Sequence, residues 1–248
     1  MNHEPTLSLE PWSRELVLPG CFNVRDLGDL PTTSGHRTHR NALVRADALD
    51  GLDAPGWQLL VAHGVRTVID LRHHWEKAKA SAAPPPSIDR VDISLDGGED
   101  PEFWAFWGGN PRFCTPLYFR PHLQRFPEIS GAVIRTIAQA REGAVLFHCG
   151  AGRDRTGLVS MLLLSLAEVT VEAIVEDYLL SFERLARSPA RLEERLQIDR
   201  FLEAECASLE GLMRGALSGL DPRETLARGG LSPEEIERAR SRLVVEAP

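Results

Sequence analysis

The stretch that most limits what this chain can become runs from Ala144 to Val169, AVLFHCGAGRDRTGLVSMLLLSLAEV. Ala144 to Cys149 is a continuous apolar run, as in a strand covered on both faces, which is the habit of central strands in parallel sheets. Gly157 to Val169 is apolar around its whole circumference, so a helix there must lie inside the molecule. A buried strand joined to a buried helix by a short loop needs layers on both sides. An α/β architecture follows.

The flanking sequence fills in the layers. Ala54 to His63 reads as a helix with Gly64 as its C′ residue, followed by a second buried strand candidate, Val65 to Leu71. Arg90 to Leu95 alternates like a half-buried strand, and Asn23 to Asp47, divided by Pro31 and the Ser34-Gly35 turn, reads as a hairpin or a pair of short strands. Trp75 to Ala83 is expected to form a short helix ending at Pro84-Pro85-Pro86. Ile129, Val133, Ile134 and Ile137 mark another, with Gly143 at its terminus. Beyond Thr170 the pattern is helical: Val171 to Leu185, Pro189 to Leu217, and Ser232 to Leu243. The last starts with Ser232 as N-cap, Pro233 at N1 and Glu235 at N3. We expect a central, mainly parallel sheet flanked by helices, one domain over 1–248, with a helical C-terminal part over 187–248. Residues 96–127, dense in Phe, Trp, Tyr, proline and Gly-Gly pairs, form an insert read as a loop packed on the core or as a lid over a substrate.

Charge and composition narrow the function. The net charge of −8, from 36 acidic and 28 basic residues, argues against a nucleic-acid binder, which gains affinity by neutralising phosphates with surplus cations. Of the basic residues only Lys77 and Lys79 are lysines. Arginine-only segments at 36–45 (Arg37, Arg40, Arg45) and 103–127 (Arg112, Arg120, Arg125) could place a local positive field on an acidic body. Cys21, Cys114, Cys149 and Cys206 lie far apart, without zinc spacing, as expected of reduced thiols. The first thirty residues lack an apolar h-region, and Leu158 to Val169 is too short to span a bilayer. The expected setting is cytoplasmic, with no integral membrane segment; neither metal nor cofactor is expected.

The loop His148 to Gly157 carries the chemistry. Gly150 and Gly152 let the chain curl, with Ala151, into a nest of backbone N–H groups at a helix N-terminus, shaped for the terminal oxygens of a phosphoryl group. Cys149 at the base of that nest sits where oriented amides and the helix dipole favour a thiolate nucleophile. Arg155 presents a planar fork that can hold two equatorial oxygens of a trigonal-bipyramidal transition state.

This segment resembles the Cys-x5-Arg signature of the protein tyrosine phosphatase superfamily, and more narrowly the HCxAGKDRTG loop of the bacterial atypical tyrosine and lipid phosphatases. Asn23 to Asp29 resembles that group's NxRDLGG segment, Ile69 to Arg72 with Glu76 its IDLRxxxE strand end, and Asp177 to Leu180 its DYLL helix. Asp29 stands in place of a glycine. Arg153 replaces the loop lysine, the residue that the resemblance associates with phosphoinositide activity. The resemblance implies a general acid inside the loop, Asp154, with Asp70 at a neighbouring strand end in reserve and Arg72 beside it. Arg153 belongs to the expected phosphate-binding loop. Thr156 is expected to donate its hydroxyl to the thiolate, and His148 to hydrogen-bond the loop backbone.

Three functions remain open at this point: a cysteine-dependent phosphatase acting on phosphorylated protein or peptide (phosphotyrosine, also phosphoserine or phosphothreonine) through a phosphocysteine, the same chemistry on phosphoinositides, or a module that binds phosphorylated ligands without turnover. A sulfurtransferase is a distant fourth.

Overall fold

A computed structural model describes residues 12–77, 83–96 and 100–244. Its centre is a five-stranded sheet: β1 Arg25–Asp26, β2 Leu43–Ala46, β3 Val65–Asp70, β4 Asp89–Asp92 and β5 Ala144–His148, in the order β1-β2-β5-β3-β4. β1 pairs antiparallel with β2, and every other pairing is parallel. Ala46, His148, Asp70 and Asp92 stand in one row across the register, so four carboxyl ends share an edge. In such sheets the loops beyond that edge are where ligands gather.

β5 is buried at all positions, and its side chains alternate between two cores. Val145 and Phe147 join the core built with α4 (Pro127–Gln139) and α5 (Arg155–Leu166); Ala144 and Leu146 join one with Trp57 and Leu60 of α1 (Ala54–Ala62). Each fully buried Leu, Ile or Phe contributes roughly 1.5–3 kcal/mol from area removed from water. α5 is buried from Arg155 to Leu164, which its lack of a polar face demands. α6 (Val171–Leu185) packs beside it.

Several expectations need correction. The insert is helical: α2 (Pro101–Trp107) and α3 (Phe119–Arg125) are joined by 3-10 turns at Pro111–Cys114 and Pro116–Tyr118. Pro101, Pro111 and Pro116 open their turns, where a missing N–H costs nothing, so these prolines start helical turns rather than break them. The stretch from Trp75 to Ala83 yields only a 3-10 turn, His74–Glu76, and its residues 78–82 lie outside the described ones. β4 is a short edge strand with mostly exposed side chains rather than a half-buried one reaching Leu95. Gly143 does not end α4; it lies beyond, in the turn into β5, at φ +116°. Finally, Pro189 to Leu217 is divided into a 3-10 turn (Pro189–Arg191), α7 (Leu192–Ala204) and α8 (Leu209–Leu217), with Cys206 at φ +49° between the helices and Ser208 capping the second. α9 (Pro222–Arg228) and α10 (Pro233–Ser241) follow, the latter with the expected capping box. Ile198, Leu202, Met213, Leu226, Ile236 and Leu243 belong to the same core as Val145 and Phe147.

Gly28 and Asp29 explain a departure noted in the sequence. A Cβ on Gly28 would lie 2.6 Å from the Arg40 Cα, so that glycine is required by crowding. Asp29 adopts φ +62°, which suits glycine but which aspartate tolerates, and its carboxylate pairs with Arg40 at 3.3 Å.

Candidate active site

Between β5 and α5 the chain closes a tight loop over residues 149–154. Gly152 sits at φ +64°, and a Cβ there would lie 2.5 Å from the Ala46 carbonyl oxygen, so the loop rests directly on the end of β2. Outside donors take the loop carbonyls. Gly150 O accepts from Ala48 N–H (3.2 Å) and Arg191 Nη2 (3.0 Å), Ala151 O from Asn23 Nδ2 (3.0 Å), and Gly152 O from Asn23 Nδ2 (3.1 Å) and Arg45 Nη2 (2.8 Å). A trans peptide points its N–H opposite to its C=O. The amides of Ala151, Gly152 and Arg153 therefore turn to the concave side, and Gly152 N–H donates to the buried Cys149 Sγ at 3.2 Å.

Two of these donors, Asn23 and Arg45, belong to a buried network which local sequence reading did not assign. Asp177 on α6 accepts from Arg25 Nε at 2.9 Å and Arg45 Nη1 at 2.5 Å, and pairs with Arg14. Ser181 Oγ accepts from Arg25 Nη2 at 2.9 Å, and Asn23 Oδ1 accepts from Arg25. Burial pushes the Asp177 carboxyl up, but the charges of Arg25, Arg45 and Arg14 outweigh it and hold the group well below the carboxylate range. Burial, reinforced by the Arg45 charge, lowers Arg25 to about 10. The one available signal was the pairing of the NxRD and DY motifs, which are spatial neighbours.

Arg155, at the first position of α5, is bound in fork fashion by Glu76, with Nη1 to Oε2 at 2.6 Å and Nη2 to Oε1 at 2.7 Å; Nη1 also meets Asp96 Oδ2 at 3.0 Å. Its Nε is buried without a partner, as is the Thr156 hydroxyl. Arg153, expected to help line the phosphate nest, is 2% exposed and turned into the protein: it forms a two-point ion pair with Asp154 (2.9 and 3.1 Å), reaches Glu194 Oε1 at 3.3 Å, and lies over the Phe182 ring. Asp154 occupies the N-cap position of α5 without capping it. Both its oxygens face Arg153.

The reserve carboxylate is differently placed. Asp70 is fully buried and accepts from Arg72 N–H and Nε (both 3.0 Å), Arg72 Nη2 (2.9 Å) and Arg90 Nη2 (3.2 Å). Burial alone would raise it, but the Arg72 hydrogen bonds bring it down to about 2, so it stays ionised at neutral pH. Arg72 also forks onto Asp50 at 2.6 and 3.0 Å, which ties the loop after β2 to that after β3. His148 is buried, with Nδ1 3.4 Å from Cys149 O and Nε2 3.7 Å from Asp70; burial lowers it to about 4.

A cavity of about 550 Å³ opens beside Arg155, lined by Glu76, Asp96, Trp75, Trp104 and Phe113 among others. The aromatic insert is thus both packed on the core, where Tyr118 and Phe119 are fully buried, and a wall of this cavity. The insert borders the cavity through aromatic residues rather than through its arginines: Arg125 pairs with Asp100, and in the other arginine-only segment Arg37 and Arg40 pair with Asp29 while Arg45 is buried behind the loop. The cations at the loop are Arg153, Arg155 and Arg191, with Arg45 behind it on Gly152 O. Burial pushes the Cys21 and Cys114 thiols up to about 12. Among the described residues no cluster of three His, Cys, Asp or Glu side chains is arranged to hold a metal, and no helix is long and apolar enough to cross a membrane.

Comparison with known proteins places the chain in a family. A protein named tyrosine-protein phosphatase from Nostoc commune is 35% identical over 157 residues, 62% of this chain and 53% of that protein. The triple specificity protein phosphatase PtpB of Mycobacterium tuberculosis is 31% identical over 211 residues, 73% of this chain and 74% of its own. The chain thus spans about half the length of the first and three quarters of the second. Among solved structures, TpbA of P. aeruginosa in complex with pTyr aligns over 72% of this chain and 86% of that one at 20% identity, with a TM-score of 0.35, too low to bear on the argument. The profile of the tyrosine phosphatase family matches residues 16–245. The chain belongs to the tyrosine phosphatase family.

Proposed function

We propose that this protein hydrolyses phosphotyrosine in protein or peptide substrates through a phosphocysteine intermediate. The observation that supports it most directly is the Gly152 N–H donating to Cys149 Sγ at 3.2 Å inside a loop whose carbonyls are held outward. The Cys149 thiolate attacks phosphorus in line, the bond from phosphorus to the leaving oxygen breaks, and that oxygen takes a proton from Asp154. The Asp154 carboxylate then removes a proton from water, whose oxygen attacks phosphorus and returns the thiolate with release of inorganic phosphate. Amides of Ala151, Gly152 and Arg153, with the open Nε of Arg155, carry the equatorial oxygens. Thr156, whose hydroxyl lacks a partner, donates to the sulfur as the thiolate leaves.

Asp154 must part from Arg153 to deliver its proton, whereas Asp70, ionised and surrounded by arginine donors, is set aside as the acid. The assay is release of 4-nitrophenol from its phosphate in EDTA; activity that persists in Cys149→Ser removes the mechanism. Asp154→Asn should slow phosphotyrosine peptides far more than 4-nitrophenyl phosphate, whose leaving group needs no proton. Equal losses on both substrates would take Asp154 out of the acid role. Phosphoserine and phosphothreonine peptides in the same panel define the breadth of the site.

A further inference from the structure

A second guanidinium stands at the mouth of the loop, and it comes from the C-terminal part of the chain. Arg191 ends the 3-10 turn that leads into α7, and its Nη2 donates to Gly150 O at 3.0 Å. A Cβ on Gly150 would lie 3.9 Å from Arg191 Nη2, 3.8 Å from Arg155 Nη2 and 3.7 Å from Glu76 Oε1, so the two guanidinium groups flank one backbone position. They differ in how their charge is committed. Arg155 is held by both Glu76 and Asp96. The Arg191 side chain is 34% exposed, and its ion pair is with Glu194 at 3.3 Å, a carboxylate it shares with the buried Arg153. The loop's other cation, Arg153, is turned inward; Arg191, beside the nest, is reached by solvent.

We propose that Arg191 reads a second anionic group next to the phosphate, and that the substrates are phosphotyrosine peptides with an acidic residue adjoining the phosphorylated one. This rests on the phosphatase reading above. A peptide is favoured over a phosphorylated polyol because Trp75, Trp104 and Phe113 give the cavity beside Arg155 aromatic walls that suit a flat phenyl ring, while the carboxylates in its lining, Glu76 and Asp96, are engaged by Arg155. Arg191 acts on specificity, since it faces the substrate's flank and not the reacting phosphorus.

The test compares two phosphotyrosine peptides that differ only in having Glu or Gln on both sides of the phosphotyrosine. At low salt the wild type should prefer the Glu peptide by about fivefold in kcat/KM, the upper range for a half-exposed ion pair, with the difference carried by KM. Arg191→Ala should bring the ratio to about one, Arg191→Lys should keep part of it, and about 0.5 M salt should erode it in the wild type. The readout is the ratio, so any general loss from the missing bond to Gly150 cancels. A wild type indifferent to the Glu–Gln exchange, or a preference unchanged in Arg191→Ala, overturns the proposal. A bisphosphorylated inositol headgroup preferred over both peptides through Arg191 overturns the peptide assignment. If no phosphoester is hydrolysed the phosphatase reading fails, and the same ratio is then read from peptide Kd values on Cys149→Ser with and without Arg191→Ala.

Discussion

His148 should make the folded protein sensitive to mild acid, and the size of the effect can be worked out. Its imidazole is 3% exposed, and burial takes it from 6.5 to about 4. Between those values the unfolded chain binds a proton that the folded chain refuses, so stability falls as pH falls through this window. For a folded value near 4 and an unfolded value of 6.5, the group already costs about 0.2 kcal/mol of stability at pH 7, and that cost grows to about 2 kcal/mol at pH 5. Between pH 7 and pH 5 the neighbouring Asp70, lowered from 3.8 to about 2, is ionised in both the folded and the unfolded chain and adds almost no slope. His148→Asn keeps an amide donor near the position of Nδ1, which bonds Cys149 O, and removes the titration. Urea unfolding at pH 7 and pH 5 reads the result: the wild type should lose about 2 kcal/mol more than the variant. Equal losses in the two proteins would refute the assignment, because the proton taken up on unfolding would then belong to another group.

Three further outcomes follow from the packing. Asp177→Asn leaves Arg25 and Arg45 buried without their counter-charge, and should cost about 3–5 kcal/mol in chemical denaturation; a loss under 1 kcal/mol would mean that the network carries little. Glu76→Gln removes the charge from the fork on Arg155, and kcat/KM on 4-nitrophenyl phosphate should fall about tenfold with the fold intact by circular dichroism; unchanged kinetics would show that Arg155 needs no such brace. Gly28→Ala should destabilise by more than about 2 kcal/mol through its clash with Arg40, whereas Asp29→Gly should be neutral to slightly stabilising, since it trades an exposed ion pair for an unstrained φ. Reversed signs in thermal melts would contradict the backbone account.

The sheet's centre and the loop between β5 and α5 were readable because a strand and helix with no polar face have one place to go. Spacing marked Cys149, Gly152 and Arg155, and the structure brings the three together in that loop. The insert misled for a definite reason: proline breaks or starts a helix depending on whether it falls at N1, and only the fold tells which. Arg153 could not be assigned an orientation from sequence, since the curl of the loop decides whether it faces the nest or Phe182. Asp177 was marked by its DYLL motif but without a role, because its partners at Arg25 and Arg45 lie more than 130 positions away. Glu76 was visible through its motif, but its grip on Arg155 depends on a turn too short to carry a periodic signal.

The bonds that hold the loop carbonyls outward also set an order of events. Arg45 Nη2 donates to both Gly152 O and Ser181 Oγ while its Nη1 bonds Asp177 of α6, and Arg25 is fixed by those same two α6 residues. On a chain emerging from the ribosome, Cys149 to Arg155 are therefore present before the helix that completes their support. The loop can take its final shape only after residue 181 is free to dock, which makes it a late product of folding although it lies at the centre of the sheet.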